Sequence, residues 1–152
     1  MKTIIQKVNS ATLSINNSLF SEINKGLLVY LGIKINDNLE DINYIIKKII
    51  NLRIFSNQSG KLDLSALELK LDIMIVSNFT LYANSKKGNR PSFTDAAIPK
   101  DAEVLYDEFI KTLTSIYPYR IETGKFGEMM EITSNNIGPI NIIIESPSKK
   151  NS

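Results

Sequence analysis

Two residue types that dominate enzyme chemistry are missing from this sequence. The chain contains no cysteine and no histidine. Without cysteine it can form neither a disulfide framework nor a thiolate zinc site. Without histidine, Ser-His-Asp and Cys-His mechanisms and histidine-ligated metals are excluded. Any catalysis must therefore rest on hydroxyls, carboxylates, lysines, backbone dipoles or the substrate itself, and we expect neither a metal nor a cofactor.

Long apolar segments and a strong net charge are also missing. The longest apolar run, GLLVYLGI at 26–33, is far too short to span a bilayer. The opening MKTIIQKVNSATLSI is broken by polar residues and has no signal-peptide core. The formal net charge is only +2, which does not indicate a strongly basic nucleic-acid surface. We therefore expect a cytoplasmic protein with no membrane partner.

Length and composition indicate one globular domain. The chain has 152 residues, of which 43% are hydrophobic and 22% charged, as in soluble proteins that build their own core. No internal repeat or linker divides it. We therefore predict a single α/β domain over residues 1–146, followed by a disordered tail at 147–152.

Strand-like patterns recur along the chain. ATLSI alternates between apolar and polar residues, as a half-buried strand does, whereas GLLVYLGI is continuously apolar, as a strand buried on both faces is. The segments predicted as strands are 3–8, 11–15 (joined to the first through Asn9-Ser10), 26–33, 71–83 and two closing strands within GEMMEITS and PINIIIES.

Helical periodicity appears twice. The first helix is predicted from isoleucines that share one face, and the Asn36-Asp37-Asn38 cluster supplies its N-cap. The second helix is predicted to begin at Pro99, a residue favoured at the first helical position. The predicted buried stripes are Ile42, Ile45, Ile46, Ile49 and Ile50 in the first helix and Leu105, Tyr106, Phe109, Ile110 and Leu113 in the second.

A polar cluster follows the apolar run LDIMIV. Ser77, Asn78, Phe79 and Thr80 bring two hydroxyls, an amide and an aromatic ring to a point where a buried strand ends. Such a cluster is either a chemical site or an ordinary strand ending that satisfies its own backbone. The loop after it, NSKKGNRPSF, is basic.

A second motif, NNIGPINIIIE, lies near the C-terminus. A Gly-Pro dipeptide between two apparent strands is first of all a turn signal, with Gly138 supplying an unusual φ and Pro139 fixing the exit. A cis bond is the rarer reading, since it occurs in about 5–6% of X-Pro bonds in folded proteins. The residues alone favour the turn.

Together these motifs resemble the D-aminoacyl-tRNA deacylase family. That family carries Ser-Gln-Phe-Thr-Leu at a strand end and Asn-x-Gly-Pro-Val-Thr near its C-terminus. The segments IIQKVNSATLSI, GLLVYLGI, LRIFSNQSGKLDLS and TGKFGEMM also look like family segments, in the family's order. The resemblance extends over nearly the whole chain.

The resemblance implies a homodimer that hydrolyses the ester joining a D-amino acid to tRNA, as chiral proofreading in translation. It implies an α/β fold of curved mixed sheets with two main helices, and active sites at the subunit interface, where a cis Gly-Pro of one subunit enters the other's pocket. The expected partner is D-aminoacyl-tRNA, not DNA. The residues it assigns are Ser77, Asn78, Phe79 and Thr80 for catalysis and Lys7, Phe126, Met130, Gly138 and Pro139 for substrate binding, beside a basic cluster, Lys86, Lys87 and Arg90, expected to contact tRNA.

Elementary chemistry makes this activity possible without histidine. The α-ammonium group of an aminoacyl ester activates its carbonyl, and the terminal ribose places a 2′-hydroxyl beside it. Preorganised backbone N–H groups can then supply most of the stabilisation of the oxyanion. We assign that role to the amides of Asn78 and Phe79. Thr80 is either a nucleophile or structural, and a hydroxyl without an adjacent base favours the structural role.

Three positions depart from the family pattern. Asn78 replaces a glutamine, Ile140-Asn141 replaces Val-Thr, and Lys7 replaces an arginine thought to brace the Gly-Pro dipeptide. A lysine cannot reproduce the planar fork of a guanidinium group. Two alternatives therefore stay open: a dimeric tRNA-binding module without catalysis, and a relaxed deacylase of mischarged L-alanyl- or glycyl-tRNA. A steric mode of chiral rejection also predicts some cleavage of glycyl-tRNA, because glycine has no side chain to reject.

Overall fold

The computed structural model describes residues 1–147, so the predicted tail lies outside the described residues except for Pro147. The strands are β1 (Lys2–Ile15), β2 (Ser18–Ile23), β3 (Gly26–Gly32), β4 (Phe55–Ser56), β5 (Leu62–Leu64), β6 (Asp72–Ser77), β7 (Ile121–Thr123) and β8 (Glu131–Glu145). The helices are α1 (Leu39–Asn51), α2 (Ala66–Leu69), α3 (Pro99–Ile116) and a 3-10 helix at Phe79–Tyr82.

Six of the strands form one curved, mixed sheet. Five of them follow the order β2-β1-β3-β6-β7, and the sixth, β8, also pairs with β1. β1 is antiparallel to β2, β3 and β8, whereas β3, β6 and β7 run parallel to one another. The Ser21 hydroxyl donates to the Thr123 carbonyl at 2.8 Å, which draws β2 toward β7 and nearly closes the sheet. This confirms the predicted α/β fold of curved mixed sheet.

The helices cover one face of the sheet. The isoleucine stripe of α1 is buried as predicted, and in α3 the buried members are Tyr106, Phe109 and Leu113. Asn38 caps α1 by accepting from the Glu40 N–H at 2.9 Å. The opposite face of the sheet carries a smaller apolar cluster that includes Leu13, Leu28 and Met74. Across residues 1–147, the helices are too short or too polar to cross a membrane.

Two predicted strand boundaries were wrong. The segments 3–8 and 11–15 form the single strand β1, because an irregularity between Val8 and Ser10 lets pairing with β8 continue past Asn9. The strand predicted over 71–83 stops at Ser77, and the chain then turns into the 3-10 helix. Sequence reasoning also missed β2, whose turn is made by Asn16 and Asn17 with positive φ.

Candidate active site

Three parallel strands end at one edge of the sheet. Leu31 of β3 pairs with Ser77 of β6, and Ile75 of β6 pairs with Thr123 of β7. The carboxyl ends of parallel strands are where open α/β sheets bind ligands, because the connecting loops leave a crevice there. The predicted catalytic segment, 77–80, leaves the sheet at this edge.

The backbone of this segment leaves one amide available. The Asn78 N–H donates to the Leu31 carbonyl at 2.8 Å and so extends the sheet by one bond. The Thr80 N–H donates to Asn78 Oδ1 at 3.1 Å. Between them, the Phe79 N–H has no acceptor within residues 1–147. The expectation that both amides face substrate is therefore wrong for Asn78, and of the two predicted oxyanion donors only the Phe79 N–H is available.

The hydroxyl of Thr80 is also engaged. It donates to Asn78 Oδ1. An amide oxygen is not a base and cannot activate a nucleophile. This arrangement favours the structural role of Thr80 over the nucleophilic one. Ser77 is half-buried, and strand alternation places its side chain on the same face as Ile75, toward the helices.

An aromatic pair joins the predicted catalytic segment to the basic loop. The Phe79 ring is 58% exposed and meets the Phe93 ring edge to face, with centroids 5.0 Å apart. Phe93 follows a β-bridge in which Asn84 and Ser92 exchange two hydrogen bonds of 2.8 and 2.9 Å. Sequence reasoning missed Phe93 as a neighbour of this site, since nothing local signals a contact across the loop.

The bridge between Asn84 and Ser92 closes the basic loop at its base. Lys86, Lys87 and Arg90 are all exposed on it. The loop therefore presents three cations beside the carboxyl edge of the sheet and holds them there through the aromatic pair.

Two of the residues predicted to bind substrate, Phe126 and Met130, lie on opposite faces of the sheet. Phe126 packs against Tyr106 of α3 on the helix-covered face, with ring centroids 5.7 Å apart. Burial raises the pKa of the Tyr106 phenol, so it stays a neutral donor to the Ile75 carbonyl at 2.9 Å. Met130 packs in the small cluster of the other face, beside Gly124 and Leu13. Within one chain, these two side chains therefore do not line the same wall of a pocket.

A cavity of about 470 Å³ opens beside Phe126. Phe20 of β2, Tyr106 and Ile110 of α3 and the residues from Thr123 to Phe126 form its walls, with Glu103, Asp107 and Lys111 at its rim. It lies on the helix-covered side of the same sheet edge and is large enough for part of a nucleotide-sized ligand.

The Gly-Pro motif forms a bulge, which corrects the turn that the residues alone favoured. Gln6 pairs with Asn141 and Val8 with Asn136, so Lys7 alone stands opposite the four residues 137–140. β8 continues through this bulge as one strand, where two were predicted. Gly138 has a φ of 126°, its bond to Pro139 is cis, and both residues are exposed.

The bulge is far from the predicted catalytic segment of the same chain. Lys7 pairs with Leu27, which pairs with Ile73, whereas Ser77 lies at the level of Leu31. At about 3.3 Å per residue and about 4.8 Å per strand, the bulge and Ser77 are separated by roughly 13 Å along the strands and 14 Å across them. One chain does not bring the two motifs together.

Lys7, which the resemblance assigned to bracing the Gly-Pro dipeptide, lies opposite the bulge in the pairing of β1 with β8. Its ammonium nitrogen lies 5.3 Å from the centre of the Phe55 ring, a cation–π contact on the helix-covered face. A lysine held there is directed toward the core side of the bulge. Its role as a brace stays a prediction.

Comparison with known proteins gives consistent matches. The family model for D-Tyr-tRNA(Tyr) deacylase matches residues 4–145. The D-aminoacyl-tRNA deacylase of Finegoldia magna is 49% identical over 149 residues, covering 98% of this chain and 100% of that protein. The D-aminoacyl-tRNA deacylase of Thermosipho melanesiensis is 43% identical over 146 residues, covering 96% and 97%. A solved structure named c-Myc DNA Unwinding Element Binding Protein is 37% identical with a TM-score of 0.93, covering 97% and 100%.

Proposed function

Because the chain belongs to the D-Tyr-tRNA(Tyr) deacylase family and hydrolyses the ester of D-aminoacyl-tRNA, we propose that this hydrolysis takes place at the carboxyl edge of β3, β6 and β7. The observation that carries the proposal is the Phe79 N–H, which has no acceptor within residues 1–147 although both neighbouring amides are bonded. Such a fixed donor is what a developing oxyanion requires.

The substrate supplies the chemistry that the chain lacks. Its α-ammonium group withdraws electrons from the ester carbonyl, and its 2′-hydroxyl lies beside the reacting carbon. The Phe79 N–H binds the carbonyl oxygen and stabilises the negative charge that forms when water attacks. The bond between the carbonyl carbon and the ribose oxygen then breaks, a proton from the attacking water passes to the ribose oxygen, and tRNA and the free D-amino acid are released.

The complete site takes a second chain. The Gly138–Pro139 bulge is exposed. It is separated from Ser77 of its own chain by roughly 13 Å along the strands and roughly 14 Å across them. In an isologous dimer the bulge of one subunit enters the site of the other, and the same contact is made twice. The partner's Gly138 carbonyl then accepts from the substrate ammonium group.

This arrangement rejects L-esters by shape. Once the carbonyl oxygen and the ammonium group are both fixed, the D and L forms differ only by exchange of the side chain and the hydrogen. The D side chain points out of the site, and the L side chain collides with the bulge. Glycine has no side chain that could collide with the bulge, so glycyl-tRNA is cleaved to some degree.

The deciding experiment compares purified protein on D-tyrosyl-, L-tyrosyl-, L-alanyl- and glycyl-tRNA. We expect turnover of the D-ester, slower turnover of the glycyl ester and little of the L-ester. Tight tRNA binding with no turnover would instead support a binding module. Equal turnover of L-alanyl and D-esters would support the relaxed deacylase, which the replacement of an arginine by Lys7 would help to explain.

The basic loop is expected to bind the tRNA backbone in this cytoplasmic reaction. Replacing Lys86 and Lys87 together by glutamine should raise KM several-fold with little change in kcat, because phosphate contacts position the substrate without touching the ester. The slope of log KM against log salt should fall by about 1 for each lysine lost.

The control uses the adjacent pair Lys47 and Lys48. These lysines lie in the last turns of α1, about 13 Å along the helix from its first residue. The double glutamine variant removes the same charge and should leave KM and its salt dependence unchanged. Equal effects from the two pairs would show that only the net charge matters.

A further inference from the structure

We infer that Thr80 is a positioning residue, which turns the Asn78 carboxamide so that its Nδ2 becomes a second donor to the ester carbonyl oxygen. The inference rests on the proposed function, since it concerns the same site. It gives the asparagine of this chain a task that depends on its short side chain.

The orientation of the carboxamide follows from its partners. The backbone N–H of Thr80 can only donate, so the atom it meets 3.1 Å away must be the amide oxygen. The Thr80 hydroxyl donates to the same oxygen. Two anchors from one residue thus hold Oδ1 inward. An asparagine can make this contact with the backbone two residues on, whereas a glutamine carries one more methylene.

The other end of the carboxamide is left available. Asn78 is half-buried, and its Nδ2 has no acceptor within residues 1–147. Nor is Nδ2 among the buried polar atoms that lack a partner, so solvent reaches it. The Nδ2–H donors therefore lie next to the Phe79 N–H in the chain and are open to a ligand. Two donors on one oxygen make a more complete oxyanion hole than one.

The test begins with Asn78→Asp. A carboxylate still accepts from both Thr80 groups, so the local fold is kept, but the outward donor is replaced by an acceptor. We expect kcat on D-tyrosyl-tRNA to fall about 100-fold or more with KM nearly unchanged. The matched control is Asn38→Asp, which makes the same replacement at the N-cap of α1 and should leave kcat unchanged.

Thr80→Val and Thr80→Ser test the positioning role. Valine removes the hydroxyl anchor but keeps the N–H anchor, so kcat should fall about 10-fold, less than when the donor itself is lost. Serine keeps a hydroxyl and should restore kcat to within about 2-fold of the wild type. In the Asn78→Asp background, Thr80→Val should have no further effect, because the donor that it orients is gone.

The outcomes separate this inference from the proposed function. Active wild-type protein with losses that multiply in the double variant would overturn the positioning role and leave the function intact. A Thr80→Ser variant as slow as Thr80→Val, with the same thermal unfolding, would also overturn it. Wild-type protein that does not hydrolyse D-tyrosyl-tRNA would overturn the proposed function itself, and this inference with it.

Discussion

Phe79→Pro is expected to lower kcat on D-aminoacyl-tRNA by about 10²–10³-fold, because proline removes the one backbone N–H assigned to the oxyanion. This corresponds to about 2.7–4 kcal/mol of lost transition-state stabilisation. Binding of the tRNA body does not involve this amide, so KM should rise no more than it does in Phe79→Ala, which lacks the same aromatic ring. Single-turnover hydrolysis of D-tyrosyl-tRNA would measure the loss directly.

The backbone at this position accepts proline. Phe79 is the first residue of the 3-10 helix, where a φ near −60° suits the pyrrolidine ring and no N–H is needed by the helix. Asn78 before it is extended, with a φ of −149° and a ψ of 94°, and so avoids the α region that is disfavoured before proline. The variant should therefore fold.

Phe79→Ala is the control, since it removes the aromatic ring and its contact with Phe93 but keeps the N–H. We expect it to retain most of kcat and to raise KM as the basic loop loses its attachment. If Phe79→Ala were as slow as Phe79→Pro, the ring would be the important group and the amide assignment would fail.

Mixing two inactive variants, Gly138→Ala and Phe79→Pro, is expected to restore about one quarter of wild-type activity. After dissociation and reassociation, about half of the dimers contain one chain of each kind. In these, the intact catalytic segment of one chain meets the intact bulge of the other at one of the two sites. The second site combines both defects and stays inactive.

Gly138→Ala disables the bulge without touching the core. Gly138 has a φ of 126°, which L side chains rarely adopt, and an added Cβ would lie 2.7 Å from the Ile140 backbone nitrogen. The bulge must shift, while its exposure to solvent leaves the thermal unfolding of the chain nearly unchanged.

Activity in the mixture should follow the fraction of mixed dimers, measured by native mass spectrometry. No recovery at a proven half fraction would mean that each site belongs to a single chain. A fully active monomer in sedimentation would contradict the shared site by a second route.

The elements that the sequence predicted correctly are those with local signals. The isoleucine stripe of α1, its Asn38 cap and the Pro99 start of α3 each depend on residues within a few positions, and all three were confirmed. The continuously apolar β3 was confirmed for the same reason: burial on both faces excludes polar residues from every position.

What could not be predicted depends on pairing between distant segments. Gly138–Pro139 has the composition of a turn, and only its pairing with β1 shows that the strand continues past it. Likewise, nothing near Asn78 shows that its N–H is taken by Leu31, which lies in another strand. The candidate site was located by a resemblance over nearly the whole chain. Which of its backbone N–H groups are available to a ligand could be decided only from the hydrogen bonds in the structure.

The bulge in β8 extends from the strand without interrupting its pairing on either side. Pairing with β1 resumes on both sides of residues 137–140, so the sheet is complete whatever those four residues do. A change in these four residues therefore leaves the paired parts of the strand on either side in place. In the proposed dimer, the shape of this bulge would set how far one subunit extends into the other, and hence how much room a substrate side chain finds.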